Sequence, residues 1–580
     1  MAKVHFVNSG EEIPKNGIVG FDIETFPRKD IPANSSLRAD PRLSEIALCQ
    51  VESGGDGYVL TRNFHTLRGL LEDARILKVM HTGSFEYKNL FYHYGIRIRN
   101  LADIAILEGI IKCGIGGRGR SRTSLETLSR EYLGIKLDKS VREKFIRGAR
   151  LDQEMISYGV KDALVCVPIY RKQMQSGYDG FEKVARLEFS LVPAVAEIEL
   201  EGIGFDQEAW EQLADKSERK LNQVLESLSR THGGDVRRLG IDGSLSSKVN
   251  FNSPDQKSRV LESAGIDLPN TQYRTLLEYY RKTGNHLVKS LLILSKLQKR
   301  TSTYGREFLT HVNPVTKRIH QSIFQVEART GRLAGRNPNL MNMIASSPYR
   351  SCFVARPRYK FISADFSAQE YRILAEQCQE PAMLEAFERG EDIHVTVARM
   401  LFKDSSIDKS HPRRGQGKNM NFGIIYGMGE RRLAKELGCS ETEASDLLKE
   451  YFSLFPRVKN WTESWREFAR VHGYVTTMIG RRRYLEIGDG LGYEREATNT
   501  PIQGTAAEMT KLAVLKLRKR LQPLGGHIVN VVHDEIDSEV PDEAADEAVS
   551  QIRSGMIEAA GSLVKVPFEI DVKVSDRWDK

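Results

Sequence analysis

The chain has 580 residues, with 85 Lys+Arg against 77 Asp+Glu, a formal net charge of +8 and 40% hydrophobic residues. Roughly 100–200 residues per domain predicts three or four domains, and the composition excludes a disordered or fibrous chain. There is no run near the roughly 18 apolar residues of a membrane span, no secretory signal over residues 1–10, and no CxxC pair among six scattered cysteines, which excludes a zinc ribbon or disulfide framework and fits a reducing compartment.

In chain order, residues 17–23 read as an apolar strand leading into acids. Asp22 and Glu24 lie two apart, so both project from one face. Residues 45–51 form a second strand, and 64–110 alternate helix-like and strand-like segments. Within them, His81-Thr82-Gly83-Ser84-Phe85-Glu86 supplies another acid. The Gly/Arg-rich stretch 114–122 reads as a loop, and helices resume from 125 to 174. Tyr158 and Asp162, four apart, share one helical face. Residues 176–180 form the predicted linker. Helical spacing then runs from 181 to 203, and a charged helical region extends to about 310, broken by a loop at 250–254. The chain turns strand-like over 311–380, notably at 359–365, and helical over 381–472. Short apolar runs return at 527–533 and 567–572.

The acids suggest metal chemistry. Neighbouring carboxylates repel, and a divalent cation with hard oxygen ligands resolves that repulsion. Asp365 ends one strand-like run, and His533-Asp534-Glu535 occupies a tight turn between two others, so acids distant in sequence are expected to meet across strands. Between them Arg414, Lys418, Phe422 and Tyr426 recur at every fourth position. Each step of four drifts only about 40° on a helix, so the four line one stripe. Cations suit a triphosphate, and aromatic faces suit a base or sugar. Basic clusters at 118–122, 411–414 and 481–483 add expected phosphate contacts.

Asp22-x-Glu24, Phe85-Glu86 and Tyr158-x-x-x-Asp162 together resemble the DEDD exonucleases of the Tyr-containing subtype. The resemblance implies a ribonuclease H-like fold and 3′–5′ cleavage, with metal held by Asp22, Glu24, Glu86 and Asp162 and Tyr158 orienting the attacking water. Glu86 stands where that family usually has Asp, and Thr82 near where Asn is common. The alternative is therefore a retained fold with weakened or lost hydrolysis.

The remainder closely resembles family A DNA polymerases, the bacterial DNA polymerase I group. The three polymerase motifs are Asp365-Phe366-Ser367-Ala368-Gln369-Glu370-Tyr371-Arg372, then Arg414-x3-Lys418-x3-Phe422-x3-Tyr426-Gly427, then His533-Asp534-Glu535. Thr330-Gly331-Arg332-Leu333, Asp392-Ile393-His394 and the run from Glu494-Arg495 through Asn499 and Gln503 follow the same family order. The resemblance implies a multidomain α/β and α+β chain. A ribonuclease H-like exonuclease domain over 1–178 is expected to precede a right-hand polymerase domain over 179–580. Its thumb is expected at about 185–315, its palm at about 316–390 and 475–580, and its fingers at about 391–474.

It also implies roles. Asp365 and Asp534 would hold two Mg²⁺ ions, as the exonuclease site would, with Mn²⁺ able to substitute. Glu535 would support the metals or the primer terminus. Arg414, Lys418 and His394 would bind the triphosphate, with Lys418 protonating departing pyrophosphate. Glu370 would gate against a 2′-hydroxyl, with Tyr426 stacking beside it. Phe422, lacking a hydroxyl, predicts poorer use of dideoxynucleotides than a Phe422→Tyr variant. Arg332, Arg495, Asn499, Gln503 and His533 would contact DNA. Gly415 and Gly417 predict a mobile nucleotide-binding helix. The expected partners are primer-template DNA, dNTPs and a single-stranded primer end, bound by a monomer with no membrane association. The expected location is the cytoplasm of a bacterium or phage-infected host, or an organelle once any transit peptide is gone. Family members often add a 5′-nuclease domain, and the expectation from 580 residues, with the exonuclease motif already at Asp22, is that this chain carries none.

Overall fold

The computed structural model describes residues 2–32, 35–115, 123–138, 140–146, 150–232, 238–239, 245–246, 249–344, 348–425, 429–488 and 492–579. The basic cluster 118–122 and Tyr426 lie outside them. The described chain divides into two compact units. The larger holds Met1–Ile203, His320–Met343 and Ala355–Asp576, and the smaller holds Gly204–Ile319, Ile344–Val354 and Arg577–Lys580.

The larger unit begins with a six-stranded sheet. Its strands are β1 (Val4–Phe6), β2 (Ile18–Pro27), β3 (Ser44–Ser53), β4 (Asp56–Leu60), β5 (Leu77–Met80) and β6 (Leu101–Asp103), in spatial order β1-β4-β3-β2-β5-β6. β2 runs antiparallel to β3 and parallel to β5. Its alternation divides the sheet. Val19, Phe21 and Ile23 are buried in one core, while Gly20, Asp22 and Glu24 present the opposite face.

Helix α1 (Gly83–Tyr94) joins β5 to β6, and α2 (Ile104–Ile111) follows β6. Then come α3 (Arg142–Ile146) and α4 (Gln153–Gln175), which lies against β2 and β3. The predicted linker at 176–180 separates α4 from α5 (Phe181–Glu201). α5 is buried on two sides. Phe181, Val184, Ala185, Val192 and Ala196 join the exonuclease-side core, and Leu191, Ala194, Val195 and Ile198 join a second one.

That second core lies beneath an antiparallel sheet of β7 (Tyr359–Phe366) with three C-terminal strands. The helices α6 (Gln369–Cys378), α7 (Ile393–Phe402) and α8 (Pro412–Ile425) follow β7. A hairpin, β8 (Tyr474–Thr476) with β9 (Arg482–Tyr484), leads into the long α9 (Gly492–Leu521). The chain then forms β10 (His527–Val532), β11 (Glu535–Pro541), α10 (Ala545–Gly561) and β12 (Ile570–Ser575), giving the sheet order β10-β11-β7-β12. Ile362, Ala364 and Phe366 of β7 point into the core, so Ser363 and Asp365 take the other face.

The smaller unit is mainly helical. Gln207–His232, Pro254–Ser263, Tyr273–Thr283 and His286–Tyr304 enclose Leu228, Val260, Leu276 and Leu291. Ser253 caps the second of these helices, which gives the 250–254 break a physical cause. All six cysteines are free thiols. Among the described residues no helix is long and apolar enough to cross a membrane.

Candidate active sites

The first site depends on how closely α4 approaches β2 and β3. A Cβ on Gly20 would lie 2.4 Å from the Ala163 carbonyl oxygen, and one on Gly159 would lie 2.0 Å from Gln50 Nε2. Without side chains at these two positions, α4 settles onto the sheet and brings Asp162 to Asp22 and Glu24. Ligand oxygens of these three acids lie within 4.8 Å of one another, the one such set of three among the described residues.

Glu86, on the first turn of α1, is buried but outside that set. Its charge still reaches Asp22, and that of Glu24 reaches Glu86. Thr82 enters α1 in the left-handed region at φ 68°, and the Gly83 N–H donates to Asp103 at 2.8 Å. Asp103 also caps α2, so one buried carboxylate fixes both helix starts.

Burial, followed by repulsion from neighbouring acids, pushes Asp22 well above the carboxylate range and Glu24 up to about 8. Burial does the same to Glu86. Tyr158, whose ring lies 6.3 Å from that of Phe145, is raised by burial and by Asp162. Arg142 of α3, absent from the sequence expectations, opposes these shifts at Asp22, Glu24 and Tyr158. Its only sequence signal is a cation three residues before Phe145. Asp22 Oδ2 and Glu86 Oε2 are buried and lack hydrogen-bond partners among the described residues. Crowded, desolvated carboxylate oxygens are the donor set a hard divalent cation takes, so the residues fit one.

The second site is built on strand register. Asp365 stands opposite Glu535 on β11 and opposite Asp571 on β12, so three carboxylates form a row across adjacent strands. Asp534 sits in the turn before β11, and His533 beside it has φ 59°. Asp571 escaped sequence reasoning, since only pairing with 359–366 reveals it. Carboxylates are the ligand type a hard cation takes, although ligand oxygens of these three acids do not gather within 4.8 Å as those of the first site do.

Arg414 and Lys418 lie one turn apart on α8. Arg414 donates to Asp392 Oδ2 from Nε at 3.0 Å and from Nη2 at 2.7 Å. Asp392 Oδ1 caps α7 by accepting from the N–H groups of His394 and Val395. His394 is buried edge-on to Tyr371, with ring centroids 5.1 Å apart. Asn421 Nδ2 donates to its Nδ1 at 3.1 Å, which leaves the ring proton on Nε2. Burial lowers the His394 pKa to about 4. Asn421 is therefore a support that motif reading missed, and Asp392, quoted within its motif, gains a role there that the motif did not give it.

Glu370, at the start of α6, pairs with Arg332 at 2.6 Å. Arg495, Asn499 and Gln503 follow one another at every fourth position of α9 and share a stripe, with Arg495 exposed and Gln503 buried. The side chain of Phe422 and all of Tyr426 lie outside the described residues.

Two expectations need correction. Gly417 is not a sign of a loose helix, because a Cβ there would lie 2.5 Å from the His394 carbonyl oxygen and 3.0 Å from Ala398 Cβ. Gly415 has nothing within 4 Å. The basic cluster 481–483 is not a phosphate contact. Arg481 is buried and paired with Glu188 and Glu508. Arg482 lies 4.0 Å from the Tyr474 ring centroid and 4.4 Å from that of Tyr178, and Arg483 pairs with Glu496 at 2.7 Å.

Comparison with known proteins agrees with this layout. A family model described as 3′–5′ exonuclease matches residues 11–176, and one described as DNA polymerase family A matches residues 219–580. The chain is 30% identical to DNA polymerase I of Rhizobium leguminosarum over 97% of its own length and 57% of that protein. It is 34% identical to the thermostable DNA polymerase I of Thermus filiformis over 68% of its length and 47% of that protein. The chain thus spans about half the length of the curated relatives it matches. A solved structure, the POL domain of Pol1 from M. smegmatis in complex with DNA primer-template and dNTP, matches with a TM-score of 0.84 at 24% identity. The match covers 100% of this chain and 99% of that one, so the fold is shared throughout. An exonuclease domain followed by a polymerase domain is the order expected from the motifs, and the chain belongs to DNA polymerase family A.

Proposed function

We propose that this chain copies a DNA template from dNTPs and removes mispaired primer ends by 3′–5′ hydrolysis. The carrying observation is the Asp365–Glu535 register with Asp534 in the adjoining turn, in a chain that also presents Arg414 and Lys418 one turn apart. Asp365 and Asp534 would hold Mg²⁺, which when bound aligns the primer 3′-hydroxyl with the α-phosphate and stabilises charge on the leaving pyrophosphate.

The protein's own groups do the rest. Asp392 fixes the guanidinium of Arg414 toward one orientation, Lys418 donates a proton to pyrophosphate, and His394 offers Nε2–H to a phosphate oxygen while staying neutral. Arg332 holds Glu370 at the sugar, where its carboxylate excludes a 2′-hydroxyl. Arg495, Asn499 and Gln503 test the minor-groove edge of the nascent pair, where acceptors are alike for correct pairs. In the exonuclease domain Asp22, Glu24 and Asp162 would hold the cations, and Tyr158 would orient the attacking water.

Primer extension on matched and mismatched termini tests both halves. Asp534→Ala should abolish synthesis and spare single-strand degradation, and Asp22→Ala should do the reverse. Synthesis surviving Asp534→Ala overturns the polymerase reading. A second reading, weakened proofreading, is favoured by the position of Glu86 outside the three-acid set. It expects Glu86→Asp to raise exonuclease turnover, and an unchanged rate would remove it.

A further inference from the structure

Gln50 stands on β3 directly opposite Asp22 on β2, just as Leu48 stands opposite Glu24. It therefore lies on the sheet face that receives α4, the same face as the acids. Leu48, which also faces Gly159, is apolar and buried and belongs to a core cluster with Met155 and Val160. Gln50 is 0% exposed, and neither its Nε2 nor its Oε1 has a hydrogen-bond partner among the described residues. Gly159 is the residue that makes room for it, since a Cβ there would meet Nε2 at 2.0 Å. A buried amide with both polar atoms unsatisfied is costly, and an apolar side chain would fill the same seam without that cost. Across the strand pair, Asp22 Oδ2 is also buried and without a partner.

We infer that Gln50 is a positioning residue of the exonuclease centre: when a divalent cation binds, its Nε2–H, unpaired among the described residues, turns to donate to Asp22 Oδ2, likewise unpaired, and so fixes which carboxylate oxygen meets the cation. The inference rests on the exonuclease reading of that cluster. Directly opposed residues in an antiparallel pair have Cβ atoms about 4.5–5.5 Å apart, within reach of a Gln amide and an Asp carboxylate. Terminal torsions of both side chains are broad, so the two groups can meet without a new rotamer at Cβ. Carboxylates that bind metal are held from behind by such hydrogen bonds, and losing one typically weakens metal affinity or activity by about 10–100-fold.

The test is Mn²⁺ binding to the full chain, followed by electron paramagnetic resonance, with Asp22→Ala identifying the signal of this site. Gln50→Met should weaken that signal's affinity about 10–100-fold, raise the Mn²⁺ concentration needed for single-strand degradation, and leave primer extension at the wild-type rate. Wild-type Mn²⁺ affinity together with a higher melting temperature would mark Gln50 as mere packing and overturn the inference. Gln50→Leu is the second variant, with primer extension by the same sample reporting its folding. If Asp22→Ala changes neither Mn²⁺ binding nor degradation, the exonuclease reading itself falls and this inference with it. Intact Asp22 dependence with an indifferent Gln50 removes the inference alone.

Discussion

His394 is held neutral by its surroundings. Burial against Tyr371 lowers its pKa from 6.5 to about 4; Asp392 pulls the other way, and the cations of Arg414 and Lys418 add lesser downward pushes. As pH falls below 6.5, the unfolded chain takes up a proton that the folded imidazole refuses until about 4. This contribution to stability is therefore complete above pH 6.5 and lost across the interval down to about 4, at most about 3 kcal/mol. His394→Gln should narrow the acid-induced fall in melting temperature over that interval, and an identical slope in both proteins would contradict the assignment. Motif spacing made His394, Arg414 and Lys418 legible, because their chemistry is carried by residue type. Asn421 was not, and Asp392 was legible only as part of its motif without a role, because an aspartate before a helix and an asparagine within one have many ordinary uses. Only the contact between α7 and α8 tells them apart.

Glycines at contacts between elements read differently from glycines in a sequence. Within a helix each costs roughly 1 kcal/mol relative to Ala, and on that ground alone Gly415 and Gly417 looked like equal sources of looseness. Their surroundings separate them. Gly415→Ala should stabilise α8 by about 0.5–1 kcal/mol and leave nucleotide affinity unchanged, since nothing lies within 4 Å. Gly417→Ala should push α8 off the backbone of α7 at His394, raising KM for dNTP and lowering the melting temperature. Equal effects from the two substitutions, read by steady-state incorporation and calorimetry, would refute the distinction. Gly20 and Gly159 follow the same rule at the exonuclease site. Strand and helix periodicities disclosed β2 and α4, and the spacing of Asp22, Glu24, Tyr158 and Asp162 disclosed their acids. The closeness of the two elements depends on side chains that are missing, and a missing side chain leaves no pattern.

Across the larger unit, the exonuclease and polymerase portions share charge as well as apolar contacts. Glu188 on α5, Arg481 after β8, and Glu508 and Lys511 on α9 are all fully or almost fully buried. Arg481 donates to both Glu188 and Glu508, and Lys511 also pairs with Glu188. Two acids and two cations balance, although desolvation still raises Glu508 to about 7 and lowers Lys511 to about 8. Glu188 and Arg481 are 293 positions apart, a separation over which no local pattern links them, and Arg481 by itself read as a phosphate contact in a basic run. Arg481→Met would leave two buried carboxylates facing one ammonium. Breaking one partner out of a buried ion pair typically costs about 3–5 kcal/mol. Because α5 is buried in the cores on both sides, synthesis and degradation should become heat-labile together, at one lowered inactivation temperature. The loss should grow with pH, since removing the cation raises the Glu508 pKa further and protonation at low pH relieves the imbalance. Adding Glu508→Gln to Arg481→Met restores equal charge and should recover much of the lost stability. Inactivation of only one activity, or a deficit that shrinks as pH rises, would show that the network does not join the two halves.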